Sequence, residues 1–399
     1  MNLVNFLCFS LLLVSQNGRA QDYEFDKLTD SKIVHIKIHP TADAALEDPA
    51  KSILAVQVQR QAVAIKKSAW KSLASKQNLK IAVVGDSGCR LKEGPSGSEY
   101  QSCQDPKAWP FAEIIQQIIK EKPDLILHLG DYHYREQCSK NKDCKKISSS
   151  VGYSWLPWAE DFFKPARPSF KLAPWILVRG NHEDCHRAFL GYSNFLASQD
   201  PKNQTCLDYE PADFIELKDL LIVNLDSSSI SENLETDSSI ADVWTQRFKQ
   251  VAEQVSKNKI KTVWLITHKP IYGLVKKNSK LVPANVNLQK YLEASPLKNQ
   301  VKIIFSGHIH LSEILKPVDG PLQVILGNGG TQLDHFQDLM NKTDPKALGF
   351  QSLHVGSAGF GYAILTRAKN KKPWNLNFKN QSGETTYQCD LARDWKSCP

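Results

Sequence analysis

Five short stretches of this 399-residue chain carry side chains able to bind metals or move protons: GDSG (85–88), GDYHY (130–134), GNHE (180–183), TH (267–268) and GHIH (307–310). Their Asp, Asn and His residues offer oxygen and nitrogen donors of intermediate hardness. Such donors suit Fe, Mn or Zn better than metals that seek thiolates. The densest stretch is GDYHYR, where Asp131, His133 and Tyr134 place three potential ligands in four residues. Four of the five begin with glycine, which lets the backbone turn sharply.

What must position them lies immediately upstream. The five stretches follow IAVV, LILHL, WILVR, TVWLI and KIIFS, and a sixth run of the same kind is LLIVNL (220–225). Near-continuous apolar runs of this length read as strands covered on both faces. Between the first two, Phe111, Ile114, Ile115, Ile118 and Ile119 fall at i, i+3, i+4, i+7 and i+8, one stripe of a helix that Pro123 ends. Strand, helix, strand is a βαβ unit, so the fold class is α/β. In open α/β sheets the carboxyl ends of the strands are where ligands bind. The five stretches therefore read as one metal site, with more donors than a single ion needs.

The ordered set GDxG, GDxxY, GNHE, xxxH and GHxH resembles the purple acid phosphatases, a branch of the calcineurin-like metallophosphoesterases, over roughly residues 79 to 330. The phrases GDSGCR, GDYHYRE and GNHEDC are also similar to a group of secreted bacterial metallophosphoesterases. The resemblance implies a four-layer fold, two packed mixed β-sheets flanked by helices. It implies two metal ions bridged by Asp131, with Asp86, Tyr134 and His310 on the first and Asn181, His268 and His308 on the second. The implied pair is Fe(III) with Fe(II), Zn or Mn. One departure is Leu265, which stands where the family usually has Val, an apolar exchange.

Ordinary members of the wider superfamily carry DxH in the first motif, with both residues as ligands. Here the third position is Gly88, so a donor is missing. A phenolate from Tyr134 would replace it and favour a hard trivalent ion. On extended backbone His133 and Tyr134 point to opposite sides, so both cannot easily reach one ion. Tyr134 is the expected ligand, and His133 is expected to face the substrate. His182, beside Asn181, is expected to protonate the leaving alkoxide or to hydrogen-bond the phosphate, and Glu183 to orient a ligand imidazole. Arg135 either binds phosphate bidentately or is a surface arginine. The expected reaction is hydrolysis of phosphate monoesters by in-line attack of metal-activated hydroxide on phosphorus, with diesters an alternative on the same site.

A rival reading comes from HEDCH (182–186), which matches the HExxH of zinc peptidases. That motif needs one uninterrupted helix, whereas this one follows a strand and a glycine, and Phe189 stands where the longer motif has Gly. His35, His39, His128, His335 and His354 are read as structural. The chain has no RHG, DxDxT, P-loop or GxSxG signature of other hydrolases.

An apolar stretch from Leu3 to Val14 followed by Gly18-Arg19-Ala20 reads as a secretory signal over residues 1–20, too short for a membrane span. The expected location is therefore secreted or periplasmic. Residues 21–76 read as an N-terminal β extension, 77–370 as the catalytic domain and 371–399 as a terminal hairpin. Setting Cys8 aside leaves eight cysteines, and sequence proximity suggests the pairs 89–103, 138–144, 185–206 and 389–398. The net charge of +8 is spread in clusters no longer than Lys pairs, which favours an anionic substrate such as a phosphate ester but not a nucleic-acid scaffold.

Overall fold

The computed structural model describes residues 33–36, 62–64, 67–94, 97–136, 151–196, 205–233, 238–260, 262–357, 359–367, 373–391 and 398. The expected signal segment and the Cys138–Cys144 pair lie outside them. In chain order, β1 (Ile33–Ile36) and β2 (Ala62–Ala64) precede α1 (Lys67–Ser75). Next come β3 (Lys80–Val84), the hairpin β4 (Leu91–Gly94) and β5 (Gly97–Tyr100), α2 (Phe111–Glu121), β6 (Leu125–His128) and β7 (Trp175–Leu177). They are followed by β8 (Asp213–Leu217), β9 (Leu220–Asn224), α3 (Ser238–Lys257), β10 (Thr262–Ile266), β11 (Leu274–Lys277), β12 (Lys280–Pro283) and α4 (Val286–Glu293). The chain closes with β13 (Ile303–Ser306), β14 (Ser312–Pro317), β15 (Leu322–Leu326), β16 (Phe350–Ser357), β17 (Gly361–Arg367), β18 (Trp374–Asn380) and β19 (Thr385–Leu391).

All six apolar runs form strands, and α2 is amphipathic as its spacing predicts. Phe111, Ile114, Ile115 and Ile118 are its buried residues, and Lys122 closes it in the left-handed region before Pro123. The strands make two mixed sheets, one ordered β19-β18-β17-β3-β6-β7-β1-β2 and the other β16-β14-β15-β13-β10-β9-β8. Within the first, β3, β6 and β7 run parallel. Within the second, β9, β10, β13 and β15 do.

The sheets pack face to face. Ile81, Val83, Leu125 and Leu127 of one join Ile222, Trp264, Ile266 and Phe305 of the other in a single apolar layer. The opposite face of the first sheet is covered by α2 and an aromatic cluster that includes Trp155, Trp158 and Phe162. The second is covered by α3 and α4 through Trp244, Phe248, Leu288 and Leu292. The result is the expected order of helices, sheet, sheet, helices. Each parallel strand thus delivers its following loop to a common edge, held from both sides by buried layers.

Candidate metal centre

At that edge the backbone turns tightly. Asp86, Asp131 and His308 all adopt left-handed φ angles, 54°, 57° and 73°. Non-glycine residues are held there only where the surrounding structure demands it. Gly130, at φ 98°, allows the turn that aims Asp131 inward.

Two clusters meet at Asp131. In the first, the Tyr134 hydroxyl lies 2.6 Å from Asp131 Oδ2, 3.2 Å from Asp86 Oδ1 and 3.0 Å from His310 Nε2. In the second, Asn181 Oδ1 is 2.8 Å from both His268 Nε2 and His308 Nδ1, and His268 Nε2 is 3.3 Å from Asp131 Oδ2. Asp131, His268 and His308 each bring a donor atom within 4.8 Å of the others. All seven residues expected from the sequence as ligands are thus brought together.

The chemistry of this donor set fits cations. His268 Nδ1 donates to the Leu129 carbonyl and His310 Nδ1 to that of Gln332, so in the neutral ring each Nε2 is an acceptor aimed at the site. His308 Nε2 lies 2.9 Å from a Glu232 carboxylate oxygen, which leaves its Nδ1 as the acceptor facing Asn181. Asn181 Oδ1 and two imidazole lone pairs therefore converge without a proton among them. In the other cluster a single phenolic proton faces two carboxylates and a lone pair. Burial, with Asp131 beside it, pushes the Asp86 carboxyl well above its ordinary range. Burial and the same two carboxylates raise the Tyr134 phenol. Burial opposes ionisation of Asp131, but His268 and His182 outweigh it and pull its carboxyl well down. Burial also lowers His308, and takes His310 to about 4, so neutral imidazoles are ready to ligate.

Gly88 accounts for the phenol. A Cβ at position 88 would lie 2.8 Å from the Tyr134 ring and 2.8 Å from the Tyr132 carbonyl oxygen, so the tyrosine occupies the room a side chain there would need.

Four other expected roles are placed differently or more sharply. His133 is fully buried, its ring stacked 5.3 Å from Trp158 and its Nδ1 3.4 Å from Asp161, so it faces the interior and not the substrate. Its ring neighbours are Trp158 and Tyr153, whereas those of Tyr134 are His182 and His310. Arg135 is buried too, its Nε 2.5 Å from Asp161 and its guanidinium over Trp109, so neither the phosphate-binding nor the surface placement describes it. Glu183 holds backbone in place of an imidazole: its carboxylate accepts from the N–H groups of Gly180, Asp131, Tyr132 and His133. His182 Nδ1 is 2.9 Å from Glu136, and its Nε2 is 3.8 Å from Asp131 Oδ2, on the site's side. The guanidinium beside His182 is Arg187, which pairs with Glu136 at 2.6 Å.

Three carboxylates give no signal in the sequence: Glu136, Glu232 and Asp161. Asp161 is fully buried, and its oxygens accept from Arg135 Nε and the backbone N–H groups of Cys89, Tyr134 and Arg135, tying the first two site loops together. HEDCH does not lie on one helix. A short 3₁₀ turn spans Asn181–Glu183, Asp184 is extended and His186 is exposed, so the two imidazoles do not share a helical face. His128 is structural as expected, its Nε2 2.9 Å from Ser87 Oγ within an aromatic cage.

Comparison with known proteins follows the same lines. A sequence model of the calcineurin-like phosphoesterases matches residues 79–312. Purple acid phosphatase 5 of Arabidopsis thaliana is 22% identical over 289 residues, covering 65% of this chain and 59% of that protein. Among solved structures, a purple acid phosphatase from yellow lupin (Lupinus luteus) seeds superposes with a TM-score of 0.50 at 15% identity, over 82% of this chain and 57% of that one. GAP50, the anchor in the inner membrane complex of Plasmodium, superposes at 0.48 and 15% identity, over 79% of this chain and 89% of that one. The chain spans less than three-fifths of the lupin protein and about three-fifths of the Arabidopsis one.

Proposed function

The chain belongs to the calcineurin-like phosphoesterase family, and on that premise we propose that it is an exported acid phosphatase-like enzyme that hydrolyses phosphate monoesters at a binuclear metal centre. The observation that carries the reading is the pair of proton-poor donor clusters sharing Asp131. Asp86, Tyr134 and His310 would hold one ion, Asn181, His268 and His308 the other, with Asp131 common to both. The phenol favours Fe(III) in the first position, with Fe(II), Zn or Mn in the second. Such a pair supplies Lewis acidity, lowering the pKa of water and neutralising charge on phosphoryl oxygens.

The protein's own groups do the rest. His182 is anchored through Nδ1 by Glu136, and its Nε2, 3.0 Å from Arg187 Nη2 and 3.8 Å from Asp131 Oδ2, would donate a proton to the leaving-group oxygen. Arg187 holds Glu136 and, beside His182, would add positive charge to the site a phosphate would enter. Glu183 and Asp161 fix the loops so that the donors need no reorganisation on binding. Export is supported by three disulfides, Cys89–Cys103, Cys185–Cys206 and Cys389–Cys398. No described helix is long and apolar enough to cross a membrane.

The test is hydrolysis by purified enzyme of an aryl phosphate, an aryl phosphodiester and a peptide in parallel. The monoester is expected to be the fastest substrate. A clear preference for the diester would replace the substrate class but keep the site, and turnover of the peptide alone would overturn the proposal.

A further inference from the structure

Three candidate ligand imidazoles point into the site, and their outward nitrogens are held in two ways. His268 and His310 each donate to a backbone carbonyl, of Leu129 and Gln332. His308 faces a carboxylate, Glu232, at 2.9 Å. Glu232 is in turn 3.3 Å from the ammonium of Lys269, which also donates to the Ile230 carbonyl at 2.7 Å. Lys269 directly follows His268, so the support for His308 is anchored to the neighbouring site loop. A carboxylate only accepts, so Glu232 fixes the proton of His308 on Nε2 and keeps Nδ1 open toward Asn181.

We infer that Glu232 is a positioning residue for metal binding, which orients His308, increases its basicity and so sets the affinity of the Asn181, His268 and His308 half of the centre. The inference rests on the binuclear reading above. Carboxylates placed behind metal-bound imidazoles typically account for a factor of about 10 to 100 in metal affinity. Glu232 is about half exposed, so its replacement leaves no cavity in the core.

Zn(II) alone is the probe, titrated against a chromophoric chelator with the metal-stripped wild type, Glu232→Ala, Glu232→Gln and Lys269→Met. The wild type is expected to bind two equivalents. Glu232→Ala weakens one of them by about 10- to 100-fold, with the other equivalent and the urea midpoint unmoved. Glu232→Gln falls between, because an amide oxygen still accepts without the charge. Lys269→Met weakens the same equivalent, by less. Two unaltered equivalents in Glu232→Ala would overturn the inference and leave the binuclear reading standing. Equal weakening of both equivalents with a lowered midpoint would show a purely structural residue and overturn it also. A wild type that takes up no Zn(II) would remove the binuclear reading and this inference together.

Discussion

Tyr134 fills the space a side chain at position 88 would occupy, and its hydroxyl sits among Asp86, Asp131 and His310. The position where one motif lacks a donor thus faces a phenol carried by the next. With Fe(III) bound, Tyr134→Phe is expected to abolish the visible absorption of a tyrosinate–iron pair and lower aryl phosphate hydrolysis by roughly 10- to 100-fold or more. His186→Ala, at an exposed position, should change neither. Colour and activity surviving Tyr134→Phe would contradict the assignment. The candidate ligand residues were legible because each lies within a few residues of the end of a buried strand. Glu136, Glu232 and Asp161 were not, because a carboxylate in a loop has no periodicity, and only folding shows whether it meets solvent, an imidazole or a row of N–H groups. His133 rests against Trp158 and Asp161, partners that lie more than twenty positions away along the chain and so leave no mark beside it in the sequence.

At the scale of elements, strands aim the site and two buried carboxylates fasten its loops. Glu183 ties the loops after β6 and β7, and Asp161, from the helical turns between β6 and β7, ties those after β3 and β6. Asp161 also pairs with buried Arg135, so removing its charge weakens the compensation of a guanidinium in the interior. Asp161→Asn is therefore expected to cost about 3 kcal/mol of stability, read as a lower urea midpoint at unchanged m-value, and to weaken metal uptake because the Tyr134 backbone is released. A midpoint equal to that of the wild type would show that Asp161 does not hold the loops. Strands and α2 were legible from apolar runs and one helical stripe. The short turns from 155 to 169 were not, since their Trp and Phe residues form an aromatic cluster without a regular repeat.

For the whole molecule, the two sheets form a sandwich whose parallel strands end at one edge, so residues 222 positions apart touch: the His308 N–H donates to Asp86. The pairing of one sheet against the other left no direct mark in the chain. It follows from the family resemblance and from strands that must be covered on both faces. Two disulfides close loops beside the centre, Cys89–Cys103 next to Asp86 and Cys185–Cys206 next to His182. Loops of this length contribute about 3 kcal/mol each by limiting the unfolded chain, which suits a site that depends on fixed loops. We propose that these converging strand ends hold two catalytic cations. Metal content per chain, followed alongside aryl phosphate hydrolysis before chelation, after it and after metal is returned, tests this most directly. Two ions per chain are expected, with activity lost on their removal and regained on reconstitution. Undiminished hydrolysis by the metal-stripped protein would contradict it.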